Sequence, residues 1–117
     1  MIEDLVARVF ATRNAAHLAH WKTHSFAQHS ALGAFYDDAI ENIDKLIEAH
    51  QGAFDLIGKV DVQPVSEKDM VALLEDDMLF IGKNRVALCR KLPALDNILQ
   101  ELEGTYLTAL YKLRNLK

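Results

Sequence analysis

Little in this chain would interrupt or staple a fold. Only two prolines and five glycines occur among 117 residues, and both residue types are disfavoured in helix interiors, so long helices are open to it. The one cysteine, Cys89, has no partner for an internal disulfide, which predicts a reducing, cytoplasmic setting. No apolar run approaches the ~20 residues that a membrane-spanning helix needs, and no membrane partner is expected. The opening Met1-Ile2-Glu3-Asp4 is acidic and lacks the positive-then-apolar order of a signal peptide. There is no basic block either, and the formal net charge is −4. Phosphate binding needs clustered Lys and Arg, so DNA is an unfavoured main partner. What is present is ordinary for a globular chain, 50% hydrophobic and 26% charged, with room for one domain around one core.

Apolar residues recur at steps of three and four. Ile2, Leu5, Val6, Val9, Phe10, Ala16 and Trp21 predict a first helix over about residues 2 to 22. Ser25-Phe26-Ala27-Gln28 has the form of a capping box, in which Ser and Gln side chains each satisfy a free amide. A second helix follows from Phe26, with Ala31, Leu32, Phe35, Tyr36, Ile40, Ile43, Leu46 and Ile47 as its stripe and Gly52 at its end. Residues 53–65, with Gly58 and Pro64, read as a connection with a short helical turn. Ser66-Glu67-Lys68-Asp69 reads as a second capping box, flanked by a Val65–Met70 staple. The third helix carries Val71, Leu74, Met78, Leu79, Ile81, Val86 and Leu88 up to a break at Pro93. The last carries Leu95, Ile98, Leu99, Leu102, Tyr106, Leu107, Leu110 and Leu113, and closes on Lys112, Arg114 and Lys117, where the helix dipole favours cations. Four helices, one long link between the second and third, and no strand signal predict a single all-α four-helix bundle over residues 1–117.

All five histidines, His17, His20, His24, His29 and His50, lie in the first half. No Glu-x-x-His motif occurs, which argues against the di-iron site that bundles build within one chain. His29 is instead followed by Asp44 and Glu48, fifteen and nineteen positions on. Along one helix His29 and Asp44 are roughly 22 Å apart, too far to share an ion. Two copies of the helix, antiparallel about a two-fold axis near Asp37, would set His29 of one against Asp44 and Glu48 of the other. Those two carboxylates are one turn apart and can face one ion. Imidazole with carboxylates suits iron, manganese or zinc.

The pair His20-Trp21, the segment Lys22-Thr23-His24-Ser25-Phe26, then His29, Asp44 and Glu48 resemble the Dps-type miniferritins. That family shows a His-Trp pair near the end of its first helix and an Asn-Phe-x-x-x-His type segment, with an Asp and a Glu at the same later spacings. The resemblance covers about residues 15 to 52. It implies a ferritin-like bundle, a two-fold dimer through the second helix or a larger shell, and a site of His20 and His29 with a neighbour's Asp44 and Glu48. It also implies Trp21 beside the metal, and iron oxidation with storage or oxidative protection. Four features differ from the family. His20 and His29 are three residues closer, Gly33 stands where an acid follows one turn after the second histidine, the link lacks a clear short helix, and no lysine-rich tail is present. The compact pattern His-Trp-x-Thr-x-Ser-Phe-Ala-x-His also resembles small phage-encoded proteins of uncharacterised role, which would place this one in a host cytoplasm.

Plainer roles stand beside these. His17, His20 and His24 share a helix face and could form another metal cluster, or His24 could replace His20, although a structural or surface role suits His17 and His24 better. Asp37 and Asp38, near the two-fold axis, are either costly like charges or a further ligand. Trp21 more often packs than conducts electrons. His50 reads as a surface residue suited to a helix C-terminus, Cys89 as an apolar filler, and Glu67, Asp69, Glu75, Asp76 and Asp77 as capping or solvated charge. The function expected is iron binding at an intersubunit site. The rival is a non-catalytic oligomeric bundle that binds another protein. A third reading, DNA binding, rests on the resemblance alone.

Overall fold

Three of the four helices start where a side chain or a proline can deal with the first unpaired amides, and the first has no side-chain cap. The computed structural model describes residues 1–117 and contains α1 (Ile2–Lys22), α2 (Phe26–Ala53), α3 (Met70–Cys89) and α4 (Pro93–Asn115), with no strand. Ser25 caps α2, its hydroxyl accepting from the Gln28 amide at 3.2 Å. The second half of the expected box is not made. The Gln28 amide group donates instead to the Leu113 and Leu116 carbonyls, at 3.3 and 2.9 Å, where the end of α4 leaves acceptors free. Pro93 opens α4 at a position where its missing N–H costs nothing.

Three boundary expectations need correction. Asp69, not Ser66, caps α3, accepting from the Ala72 amide at 3.0 Å. Ser66 is used in a local turn to Lys68, and Glu67 pairs with Lys22, so Met70 becomes the first helical residue and the Val65–Met70 staple has no register to form in. α2 passes through Gly52 and stops at Phe54, whose amide bonds His50 O at 2.8 Å. No glycine has positive φ. The left-handed cap is at Arg90 (φ 49°) and Lys91 (φ 61°), after α3.

Neighbours run antiparallel. The turn Thr23–Ser25 folds α2 back on α1, Thr12 meets Asp77 between α1 and α3, and Asn42 meets Thr105 between α2 and α4. Around the bundle the order is α1, α2, α4, α3, and the chain runs up, down, down, up. Residues 54–69 therefore return along the bundle so that α3 can start beside the end of α1. α3 has 20 residues, ~30 Å at ~1.5 Å each. Helix gains height too slowly to cover that in so short a link, and none forms in residues 54–69.

Leu5, Val9, Leu32, Phe35, Ile43, Leu46, Leu74, Ile81, Leu95, Leu99, Leu102 and Tyr106 fill the core, with Phe35 edge-on to Tyr106 at 5.0 Å between ring centres. Trp21, Leu79, Val86 and Leu107 continue the sequence stripes yet lie exposed. No helix is long and apolar enough to cross a membrane.

Candidate functional site

The tight turn between α1 and α2 lays the end of one helix across the start of the other. His20 Nδ1 lies 2.6 Å from the His29 carbonyl, and His29 Nδ1 lies 2.8 Å from the His20 carbonyl. The rings stack at 3.6 Å and 17°. A carbonyl only accepts, so each Nδ1 must carry its proton. In the neutral ring that leaves the lone pair on Nε2, which has no protein partner in either residue. Gly33 makes this possible: a Cβ there would come 3.0 Å from His20 Cε1. The His20 ring thus packs directly over the Gly33 backbone.

The other histidines do not join that pair. His17 stacks on Tyr36 at 4.1 Å and tilts against Trp21 at 4.4 Å, while the Arg13 guanidinium lies 5.1 Å from the Tyr36 ring centre. These stacks hold His17 in a surface ladder, with its ring centre 6.3 Å from that of His20. His24 is exposed. Trp21 and Phe26 flank the histidine pair and are 67% and 81% exposed.

Asp37, Asp44 and Glu48 are exposed on α2, and the nearby Lys45 is taken by Glu101 of α4 at 3.2 Å. Within one chain no three His, Cys, Asp or Glu side chains gather in a metal-binding arrangement. His20 and His29 alone offer two imidazole nitrogens, a donor set that suits iron, manganese or zinc only with oxygen ligands added. Asp44 and Glu48 carry such oxygens, half a helix away.

Two buried polar groups escaped the sequence reading. Asp77 is not solvated: it is buried and accepts from the Thr12 and Tyr106 hydroxyls, each at 2.6 Å, with Arg8 at 3.6 Å. Burial raises its carboxyl above the ordinary range, opposed by those hydrogen bonds and by Arg8. Burial, then the charge of Asp77, holds Tyr106 as a phenol. The available signal was a threonine on the apolar face of one helix and a tyrosine on that of another, both wanting an acceptor. His50 is not a surface residue either. It is 6% exposed, and its Nδ1 is buried without a partner. Burial, then Arg90, lowers its proton affinity. Cys89 is buried as expected, and burial raises its thiol.

No curated protein and no solved structure matches the chain. One family model does, over residues 20–113, a span that takes in the His20–His29 pair, the α2 carboxylates and all of α3. By that match the chain belongs to DUF5856, a family of unknown function.

Proposed function

We propose that two copies of this chain bind divalent iron, or the similar manganese or zinc, between them. His20 and His29 of one copy and Asp44 and Glu48 of the other are the ligands. The observation that carries this reading is the reciprocal lock, which ties both Nδ1 atoms to backbone and leaves both Nε2 atoms free. A histidine whose second nitrogen is held by a carbonyl is oriented for a metal before the metal arrives.

The exposed face of α2 supports a second copy as the source of the oxygens. It reads Phe26, Ser30, Asp37, Glu41, Asp44 and Glu48, with the His20 ring lying over Gly33 between the second and third of these. Antiparallel pairing about Asp37 sets His29 against Asp44 and Lys45, and Phe26 against Glu48. Trp21 and Phe26 then approach the far end of the partner's α2, near the exposed Leu56. Ser30 and Ala34 are small and exposed, so the helices can approach closely there. Carboxylates from both copies would crowd the centre, so metal is what favours association. Fe(II) is the substrate in this reading, oxidised by O₂ or peroxide in the cytoplasm for storage or oxidative protection, with Trp21 beside the site. The exposure of Trp21 and Phe26 favours one alternative, a metal-free oligomer that docks another protein through them.

The test is an anaerobic Fe(II) titration by calorimetry. Saturable binding should be lost in His29→Ala and in Asp44→Ala taken singly. Mixing those two variants should restore binding, because a mixed dimer contains one site with all four ligands intact. No binding heat in the parent protein, or no recovery on mixing, would overturn the intersubunit site.

A further inference from the structure

We infer that the cavity at the opposite end of the bundle from the histidine pair, between the start of α1, the end of α2 and the cap of α3, binds a small oxyanion of carboxylate or phosphate type. The cavity measures about 180 Å³, several times the ~30 Å³ share of a water molecule. His50 and Phe54 from α2, Arg90 from the α3 cap and Ile57 from the link line it. This site is independent of the proposed metal centre.

Three features point to an anion. His50 is nine-tenths buried, yet its Nδ1 has no partner, an arrangement that native interiors avoid unless a ligand or water completes it. Arg90 adopts a left-handed backbone that non-glycine residues rarely take. Its guanidinium stands at the exposed mouth of the cavity, 4.2 Å from the Phe54 ring centre, in no ion pair and no hydrogen bond. Phe54 in turn stands edge-on to His50 at 5.1 Å. A free five-donor cation and an unsatisfied imidazole thus share one small space, and guanidinium matches planar carboxylate and tetrahedral phosphate by geometry as well as charge.

The remaining charges of the cavity are accounted for. Glu3 is occupied, accepting from the Gly58 amide at 2.8 Å and the Met1 amino group at 3.2 Å. Those bonds, Gly58 first, hold its carboxyl down at about 2, so it stays ionised and engaged. Asp55 lies exposed at the rim, where water and salt screen it.

The experiment follows the His50 ring nitrogens by NMR in the full-length protein. Sodium acetate and sodium phosphate are added separately, with sodium chloride at equal ionic strength as control. The expected result is a saturable His50 shift with one or both oxyanions, absent with chloride and reduced at least tenfold in Arg90→Gln. Asp55→Asn and His29→Ala should both bind almost unchanged. Saturation by acetate alone assigns a carboxylate site, and by phosphate alone a phosphate site. A linear shift with both, a response equal to that of chloride, or an undiminished response in Arg90→Gln would overturn the proposal.

Discussion

At Gly33 the usual preference of a helix for alanine is set against a contact. In an exposed helix interior Gly→Ala gains about 0.5–1 kcal/mol. Gly82 and Gly104 meet nothing within 4 Å of an added Cβ, so alanine at either is expected to raise stability by that amount in urea titrations. Gly33→Ala should gain nothing or lose stability, and should shift the His20 ring nitrogens in NMR, because the new methyl displaces the imidazole. A gain at Gly33 equal to that at Gly82 would show the ring to be free to move aside. Asp77 supplies a second residue-scale prediction. Asp77→Ala strands the Thr12 and Tyr106 hydroxyls and should cost about 2–4 kcal/mol, whereas Asp77→Asn keeps an oxygen for them and should cost less. The folded carboxyl is raised, so between its ordinary value of 3.8 and the raised value the folded protein holds a proton that the unfolded chain has lost. Stability relative to Asp77→Asn should therefore fall as pH rises through that window and level off above it. Denaturant midpoints of both proteins across the acid range test this, and a rising difference would contradict it.

Among the elements, the caps separate what local sequence encodes from what packing selects. Ser25→Ala and Asp69→Ala should each cost about 0.5–2 kcal/mol, since each removes the acceptor for a helix-opening amide. Ser66→Ala should cost only a few tenths, because its hydroxyl serves a turn outside the helix; equal losses at Ser66 and Asp69 would place the start of α3 upstream. The limits of α1 and the starts of α2 and α4 were legible because they depend on neighbours in sequence: a serine before an apolar stripe, a proline after a break. The start of α3 was not. Two candidate caps stood three residues apart, and only in the folded chain does Asp69 take the Ala72 amide while Glu67 pairs with Lys22. Gly52 was a plausible end for α2, yet the helix continued to Phe54, which packs against His50 and Arg90.

For the whole molecule, the long return of residues 54–69 makes α3 run parallel to α2, while the Thr23–Ser25 turn sets α2 against α1 and leaves one side of α2 turned outward. That exposes an α2 face with histidine near one end and acids along the rest, the self-complementary pattern on which the proposed dimer depends. In the metal-free protein the acids of two copies repel, so association measured by sedimentation should strengthen as salt approaches ~1 M and screening shortens to ~3 Å. Added Fe(II) should produce the same strengthening at low salt. A dimer that weakens with salt and ignores metal would point instead to an interface held by ion pairs.

The sequence by itself determined the all-helical class, the four helices and the long link. Helical periodicity and most capping are local, and the scarcity of proline and glycine leaves few alternatives. It also supplied the side chains on which the proposed metal site rests, because only certain side chains can coordinate a metal. The tertiary structure alone decided that His20 and His29 lock each other through backbone carbonyls, that Gly33 yields its space to a ring, and that Asp77 and His50 lie inside. Each of these depends on residues far apart in the chain, or across a turn, meeting at a few ångströms. Hydrophobic periodicity specifies which face of a helix turns inward, but not which polar group the opposing helix brings to meet it.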